Sequence, residues 1–272
     1  KGDKWFFDEF ADRDPRLYDN IDKEGLRLEG TVAVYAATGY FAHLFVNPSL
    51  LNVPGGMSST NITDAPVMKY NEVLMNYIEA AAELADMGAY TLTQSDFDKT
   101  INALRNRPST SMPAVTLAGS NLAVNGVTIN DPDRDKGQMK SGDYEVSPIL
   151  WEVRRERRTE LPYQGIRFND LRRWGKLHYA DMKVNPKLNL GAWLDKDAYV
   201  AWYNEQNGTS LTVEDLKGIH LDREGNAGYI VPAIDASLLR TCEDKHYLYP
   251  IPSQEIALYQ SNGYTLSQNP GW

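Results

Sequence analysis

Ile149-Leu150-Trp151-Glu152-Val153-Arg154-Arg155-Glu156-Arg157-Arg158-Thr159-Glu160-Leu161 is the stretch that decides how this chain is read. Seven of the nine positions from Glu152 to Glu160 are charged, and Gly165-Ile166-Arg167-Phe168-Asn169-Asp170-Leu171-Arg172-Arg173-Trp174 follows closely. On a helix, Leu150, Val153, Arg157 and Leu161 share one stripe, at spacings of three, four and four. Arg157 therefore occupies a position of the buried face, where an unpaired charge would cost several kcal/mol. Two readings follow. A solvated helix laced with surface salt bridges is the simpler one. The other is an ion-pair hub that clamps this helix to an acidic neighbour.

The acidic neighbour lies between Asp64 and Gly88. There Tyr70, Leu74, Tyr77, Ala81 and Leu84 form the apolar stripe expected to face the core, and Glu72, Asn76, Glu79 and Glu83 form a second row at helical spacing. Asp64 with Pro66 is the expected start and Gly88 the expected end. A second helix is predicted from about Ser95 to Arg107, with Ser95 and Asp98 as a capping box and Phe97, Ile101 and Leu104 facing inward, stopped by Pro108. Joined by a short turn, the pair makes an antiparallel helical hairpin. Its carboxylates are the expected partners of the arginines near 155.

These residues, with others, resemble the SusD/RagB family of nutrient-binding outer-membrane lipoproteins. Six separated stretches carry the resemblance, in the family's order. Asp12-Arg13-Asp14-Pro15-Arg16-Leu17 is similar to its "DPRL" segment. Lys69 to Ala80 is similar to "RYAEVLLNYAEA", and Ile101 to Arg107 to "IN.LR.R". The 149–174 stretch is similar to "ER..EL..EG.R..DL.RW". Tyr247-Leu248-Tyr249-Pro250-Ile251-Pro252 and Gln268-Asn269-Pro270-Gly271-Trp272 are similar to "YLYPIP" and "QNPGY". Lys69, Asn71, Ile78 and Gln164 depart from the pattern, at positions that concern packing and ion pairing.

The resemblance implies a mainly α fold: a SusD-like helical scaffold with a TPR-like helical hairpin, long loops and a few short β-hairpins. Residues 1–272 resemble the C-terminal region of a family member, with the N-terminal helical half and the lipidation signal absent. It implies a non-catalytic protein at the outer-membrane surface of a Bacteroidetes-type bacterium, lipid-anchored when full-length. Such proteins pass oligosaccharide or polysaccharide, and in some cases peptide, to a SusC-like TonB-dependent transporter. Contact with the membrane would run only through the anchor.

Composition excludes several other classes. The net charge of −9, from 28 basic and 37 acidic residues, argues against nucleic acid. Leu150 to Lys176 holds eight basic and four acidic residues, which leaves 20 against 33 elsewhere, or −13. Positive charge is thus gathered at the expected clamp. Cys242 is alone, so no internal disulfide forms, and it reads as a small buried hydrophobe. No residue from Thr31 to Ile62 is formally charged, but the apolar part, Val32 to Val46, is short of the roughly 20 residues that span a bilayer. A β-hairpin turning near Thr38-Gly39 is expected there, with loops at Asn47-Pro48 and Pro54-Gly55-Gly56. Further on, a short helix is expected within Leu194–Asn207, a capped turn at Thr212–Leu216 and a last helix from Ser253 to Ser261.

Catalytic and metal signatures are weak. The sequence has no P-loop, dinucleotide-binding glycine pattern or nucleophile elbow, and His43, His178, His220 and His246 are scattered without metal-ligand spacing. The aspartates of Asn130–Gly137 alternate as in a calcium loop, but Lys136 and Gly142 stand where glycine and glutamate are needed, so a solvated turn is expected. No cofactor is implied. A glycosidase would need two carboxyls across one cleft with split titration, and the abundance of acidic residues identifies no such pair. Binding is the leading reading. Sugar faces stack on aromatic rings, and the resemblance points to the region just before "DPRL", so Trp5, Phe6 and Phe7 are candidates. Trp193, Trp202 and Tyr203, in the least patterned stretch, complete the set, whereas Trp151 and Trp174 are assigned to packing. A third reading makes this chain mainly an interaction surface, through the hairpin or the uncharged 30–63 segment.

Overall fold

The computed structural model describes residues 3–32, 35–42, 44, 47–50, 54, 64, 66–134 and 145–272. Among these the regular structure is mostly helical, as expected. The helices are α1 (Phe6–Phe10), α2 (Arg16–Asn20), α3 (Tyr70–Asp86), α4 (Gln94–Asp98), α5 (Ile101–Arg105), α6 (Pro148–Glu160), α7 (Arg167–Arg173), α8 (Lys196–Asn207) and α9 (Ser253–Ser261). Strands β1 (Val115–Ala118), β2 (Asn121–Val124) and β3 (Val127–Thr128) form one antiparallel sheet, and β4 (Trp193–Asp195) pairs with β5 (Ala227–Tyr229).

Helix α6 forms as its periodicity predicts. The Ser147 hydroxyl accepts from the Leu150 N–H at 3.2 Å, and Pro148 sits in the first turn, where a missing N–H is harmless. Leu150, Val153 and Leu161 are buried, and Arg157 is buried with them. This settles the choice between a solvated helix and a hub in favour of the hub.

The stripe predicted for α3 holds only in part, at Leu74 and Ala81. Tyr70, Tyr77 and Leu84 are exposed, and Met75, Ile78, Ala81 and Ala82 make the buried face. The acidic row explains the rotation: Asn76, Glu79 and Glu83 turn toward arginines of α6 and α7, which carries the tyrosines outward. The helix also starts later than expected, at Tyr70 after an extended Lys69, but it ends as expected before Gly88, whose φ is +72°.

The second helix of the hairpin is split. The Thr100 hydroxyl donates to the Asp96 carbonyl at 2.6 Å, a local bond that competes with the helical ladder, and α4 and α5 meet at a bend there. The cap is Thr93 with Asp96 rather than Ser95 with Asp98: the Thr93 N–H and hydroxyl both donate to the Asp96 carboxylate at 2.8 Å. Phe97, Ile101 and Leu104 face inward as predicted. The β1–β3 meander was not anticipated. Asn125 and Gly126, at φ +50° and +75°, form the two-residue turn between β2 and β3, and Val115 and Leu122 join the core of α3–α6.

A second core gathers Phe6, Phe10, Leu26, Leu28, Leu194 and Tyr199. Residues 35–42 pair across to other segments there: Arg27 N–H donates to the Gly39 carbonyl at 3.0 Å, Ile21 bridges Ala42, and Ala192 N–H donates to the Thr38 carbonyl at 2.9 Å. Ala33, Val34, His43, Phe45 and Val46 of the expected hairpin, and Gly55-Gly56, lie outside the described residues. Gly191 permits the approach to Thr38, since a Cβ there would fall 2.5 Å from that carbonyl oxygen. Asp195 caps α8 by accepting from Ala198 N–H at 3.0 Å, and Gly208, at φ +62°, ends it. The capped turn at Thr212–Leu216 and the last helix both form as expected. A small third cluster packs Leu171, Trp174 and Leu177 against a half-buried Cys242.

Candidate ligand-binding site

The two cores are joined by charge. Glu156 accepts from Arg105 Nε and Nη2 at 3.0 and 2.7 Å and from Arg16 Nη1 at 2.8 Å. Glu160, one turn on, takes Arg107 Nη2 at 2.9 Å, Arg16 Nη1 at 3.2 Å and the Asn71 amide at 2.9 Å. Arg16 closes the set by holding the Asp14 carboxylate, with Nη2 at 2.6 Å. Arg157 donates to Asp170 at 2.8 Å and Asn76 at 2.7 Å, while Glu79 receives Arg173 and the Trp174 indole N–H, both at 2.5 Å. Burial alone would push the Glu156 carboxyl up, but the Arg105 hydrogen bonds and the Arg16 and Arg105 charges hold it below the usual range.

This hub accounts for four of the motif regions, since it uses Asp14 and Arg16, then Asn71, Asn76 and Glu79, then Arg105 and Arg107, then α6 and α7. The two C-terminal motifs are knitted in by backbone contacts. Arg172 Nη2 donates to the Tyr247 carbonyl at 2.8 Å, Gln268 pairs with Ile251 at 2.7 and 2.9 Å, and the Trp272 indole reaches the Lys245 and Leu248 carbonyls at 3.0 Å. The motif residues build the frame, and the site must be sought elsewhere.

The ring candidates come from two distant parts of the chain, and five of the six meet. Trp5 lies 6.1 Å from Trp202 and Phe7 lies 5.5 Å from it, between ring centroids, in tilted and edge-on arrangements. Tyr203 stacks at 5.7 Å on buried Tyr199 and donates to the Thr31 carbonyl at 2.8 Å. Phe6 is buried against Phe10, at 4.5 Å, so its ring belongs to the core. Trp5, Trp202 and Tyr203 are half-buried and Phe7 is exposed, each keeping apolar surface toward solvent. Gly25, at φ +147°, lies beneath this group: a Cβ there would sit 2.9 Å from the Trp202 ring. Trp193 stands apart, edge-on to Tyr229 at 5.2 Å with the Arg223 guanidinium 5.0 Å from its ring.

A cavity of about 510 Å³, lined by none of these six rings, includes Glu9, Arg13, Tyr40, Arg158 and Tyr163 in its lining. Such a volume falls within the range of small-ligand pockets, about 300–1,000 Å³. Tyr40 donates to Glu9, and burial with that carboxylate beside it pushes the Tyr40 hydroxyl far above its ordinary value, so it remains a neutral donor. Tyr163 has φ +57°, a conformation rare for a bulky residue and often found where function constrains the backbone. These polar residues were not anticipated; the signal available for Tyr163 was an aromatic in the loop between Pro162 and Gly165. Asp14 also lines the cavity. Burial would raise its carboxyl, but the bonds and charge of Arg16 hold it below the usual carboxylate range. Among the described residues no cluster of His, Cys, Asp or Glu could hold a metal. The calcium pattern of 130–137 runs into residues outside the described ones, and Asp131 accepts from the Trp151 indole at 2.8 Å.

Comparison with known proteins identifies the frame. The SusD family model (SusD/RagB) matches residues 31–272. No curated protein matches the chain. Among solved structures, the chain is similar to a SusD-like carbohydrate binding protein from Bacteroides fragilis, with 26% identity and a TM-score of 0.47, covering 90% of this chain and 40% of that one. It is also similar to BT4246, with 21% identity and a TM-score of 0.47, covering 88% of this chain and 29% of that one. The chain thus spans less than half the length of either.

Proposed function

The chain belongs to the SusD family, and we propose that it captures an oligomeric nutrient, a glycan in preference to a peptide, at the bacterial outer-membrane surface. The captured oligomer would pass to a TonB-dependent transporter without being cleaved. The single observation that carries the glycan reading is the meeting of Trp5, Phe7, Trp202 and Tyr203, which offers ring surface; the separate cavity that includes Arg13, Tyr40 and Arg158 in its lining adds polar partners. Rings supply the apolar contact for C–H faces of a sugar, and the polar lining supplies partners for hydroxyls. Asp14, held ionised by Arg16, is not the proton donor that a glycosidase would need.

The test is a tryptophan fluorescence titration with a panel of oligosaccharides and peptides. A saturable change for one sugar class, lost in Trp202→Ala or Trp5→Ala, is the expected result. Saturation by peptides alone would replace glycan with peptide. One observation favours a second reading, an interaction surface toward the transporter barrel: Tyr70, Val73, Tyr77, Leu84 and Met87 are exposed along one side of α3. A flat response to the whole panel would favour it.

A further inference from the structure

Beside the hub lies a second, smaller cleft, of about 80 Å³, between α6 and α7. Arg154, Arg155, Arg158 and Arg167 line it, with Trp151 and Trp174 as walls. Two of these guanidinium groups already hold carboxylates: Arg154 donates to Glu83 at 2.6 Å and Arg155 to Glu152 at 2.7 Å. Among the described residues neither Arg158 nor Arg167 forms a hydrogen bond or ion pair. Arg167 instead lies 5.3 Å from the Trp174 ring, which it shares with Arg154 at 4.6 Å and Arg173 at 5.0 Å. Asp131 is the carboxylate of the lining, and it is taken by the Trp151 indole at 2.8 Å and the Asp133 N–H at 2.9 Å.

Burial and then the Arg158 charge pull the Arg167 pKa down to about 10, with Asp170 opposing. Elsewhere in α6 and α7 the buried arginines are hydrogen-bonded to carboxylates; here two cations face one space with no carboxylate hydrogen-bonded to either, and the Asp131 charge acts on Arg158 only at longer range. The space is also selective by size. At about 10–15 Å³ of such volume per water-sized group, the cleft holds a handful of oxygen-sized atoms and no sugar ring.

We propose that this cleft is an oxyanion-binding site, in which Arg158 and Arg167 together hold a sulfate, phosphate or carboxylate group. Guanidinium groups match such anions with paired hydrogen bonds. Arg158 also lines the larger cavity. If the nutrient reading above holds, the anion is a substituent of the captured oligomer; the anion site itself does not depend on that reading.

The probe is inorganic sulfate, exchanged for chloride at constant ionic strength, with melting temperature and tryptophan fluorescence as readouts. Sulfate stabilises most proteins by exclusion from their surface, without saturation, so the Arg158→Gln/Arg167→Gln variant supplies the baseline. The expected result is a saturable rise in the wild type, on top of that baseline, with at least about tenfold weaker apparent affinity in the variant. Single Arg158→Gln, at an exposed position, serves should the double variant fail to fold. Superimposable sulfate dependence in wild type and variants overturns the proposal. A sulfated disaccharide beside its unsulfated parent then separates the sources: tighter binding of the sulfated sugar identifies a substituent, and preference for free sulfate identifies a free ion. Should every sugar and every peptide fail in the earlier titration while sulfate still saturates, the nutrient reading fails and the anion site stands.

Discussion

The ion-pair hub and the ring cluster both tie together segments far apart in sequence, by opposite physics. In the hub, Glu156 and Glu160 are buried carboxylates whose stability depends on particular donors at particular angles. In the ring cluster, Trp5, Phe7 and Trp202 pack through tilted, partly solvated contacts that many other arrangements could replace. A buried charge tolerates no substitute for its partner, while a ring tolerates most apolar neighbours. The hub is therefore brittle and encoded by fixed motifs, and the cluster is adaptable, which suits a surface that meets ligand.

The largest effect should come from Glu156→Ala. Arg105 would keep only the Pro113 carbonyl, at 3.0 Å, and Arg16 would keep Asp14 and Glu160. An uncompensated buried charge costs about 3–5 kcal/mol. Urea melts should show a loss of that size, and a loss below 1 kcal/mol would mean that water already reaches the hub. Acid offers the same test without mutation. The folded-state pKa of Glu156 lies below its ordinary value of 4.5, so its contribution is fully present above pH 4.5 and is lost as pH falls through the folded value. Stability should fall below pH 4.5, and Glu156→Gln should flatten part of that slope.

Trp202→Ala should do less. Fully buried large rings cost about 3–5 kcal/mol on truncation, and a half-buried one should cost about 2 kcal/mol. The comparison predicts dissociation of effects: this variant loses more ligand response than stability, whereas Glu156→Ala loses stability first. If both variants lose the two properties in proportion, the ring cluster is structural and the binding surface lies elsewhere.

The same contrast explains what could be read beforehand. Arg157 on an apolar stripe demanded a buried carboxylate, and the row of Asn76, Glu79 and Glu83 does meet the arginines of α6 and α7; the carboxylate hydrogen-bonded to Arg157 is nevertheless Asp170, so spacing made the clamp legible but not this partner. Arg16 and Arg105 were visible only as parts of recurrent motifs, because their meeting at Glu156 joins segments that no local pattern connects. The α3 stripe was partly misread because Tyr70 and Tyr77 count as apolar by composition, yet ion pairing set the helix rotation. The β1–β3 meander carried a usable sign, the Asn125-Gly126 turn. The convergence of Phe7 with Trp202 carried none beyond aromatic residues in poorly patterned segments, and the Tyr163 wall of the cavity depends on a backbone conformation that composition does not announce.

The smallest effect tests the hub from within. Arg105 and Arg107 stand two residues apart and each meets one of the paired carboxylates, but Arg105 is buried and Arg107 is more than one-third exposed, at 37% of its side chain. Water can replace Arg107, and Glu160 would still hold Arg16 and the Asn71 amide. Arg107→Ala should therefore cost about 1 kcal/mol, the net value of an ordinary hydrogen bond. Arg105→Ala, which strips the bidentate partner from Glu156, should cost about 3 kcal/mol or more. Equal losses in the two denaturation curves would show that the hub behaves as one electrostatic unit, whose stability depends on total charge; a threefold difference would show that each carboxylate is held by its own buried donors.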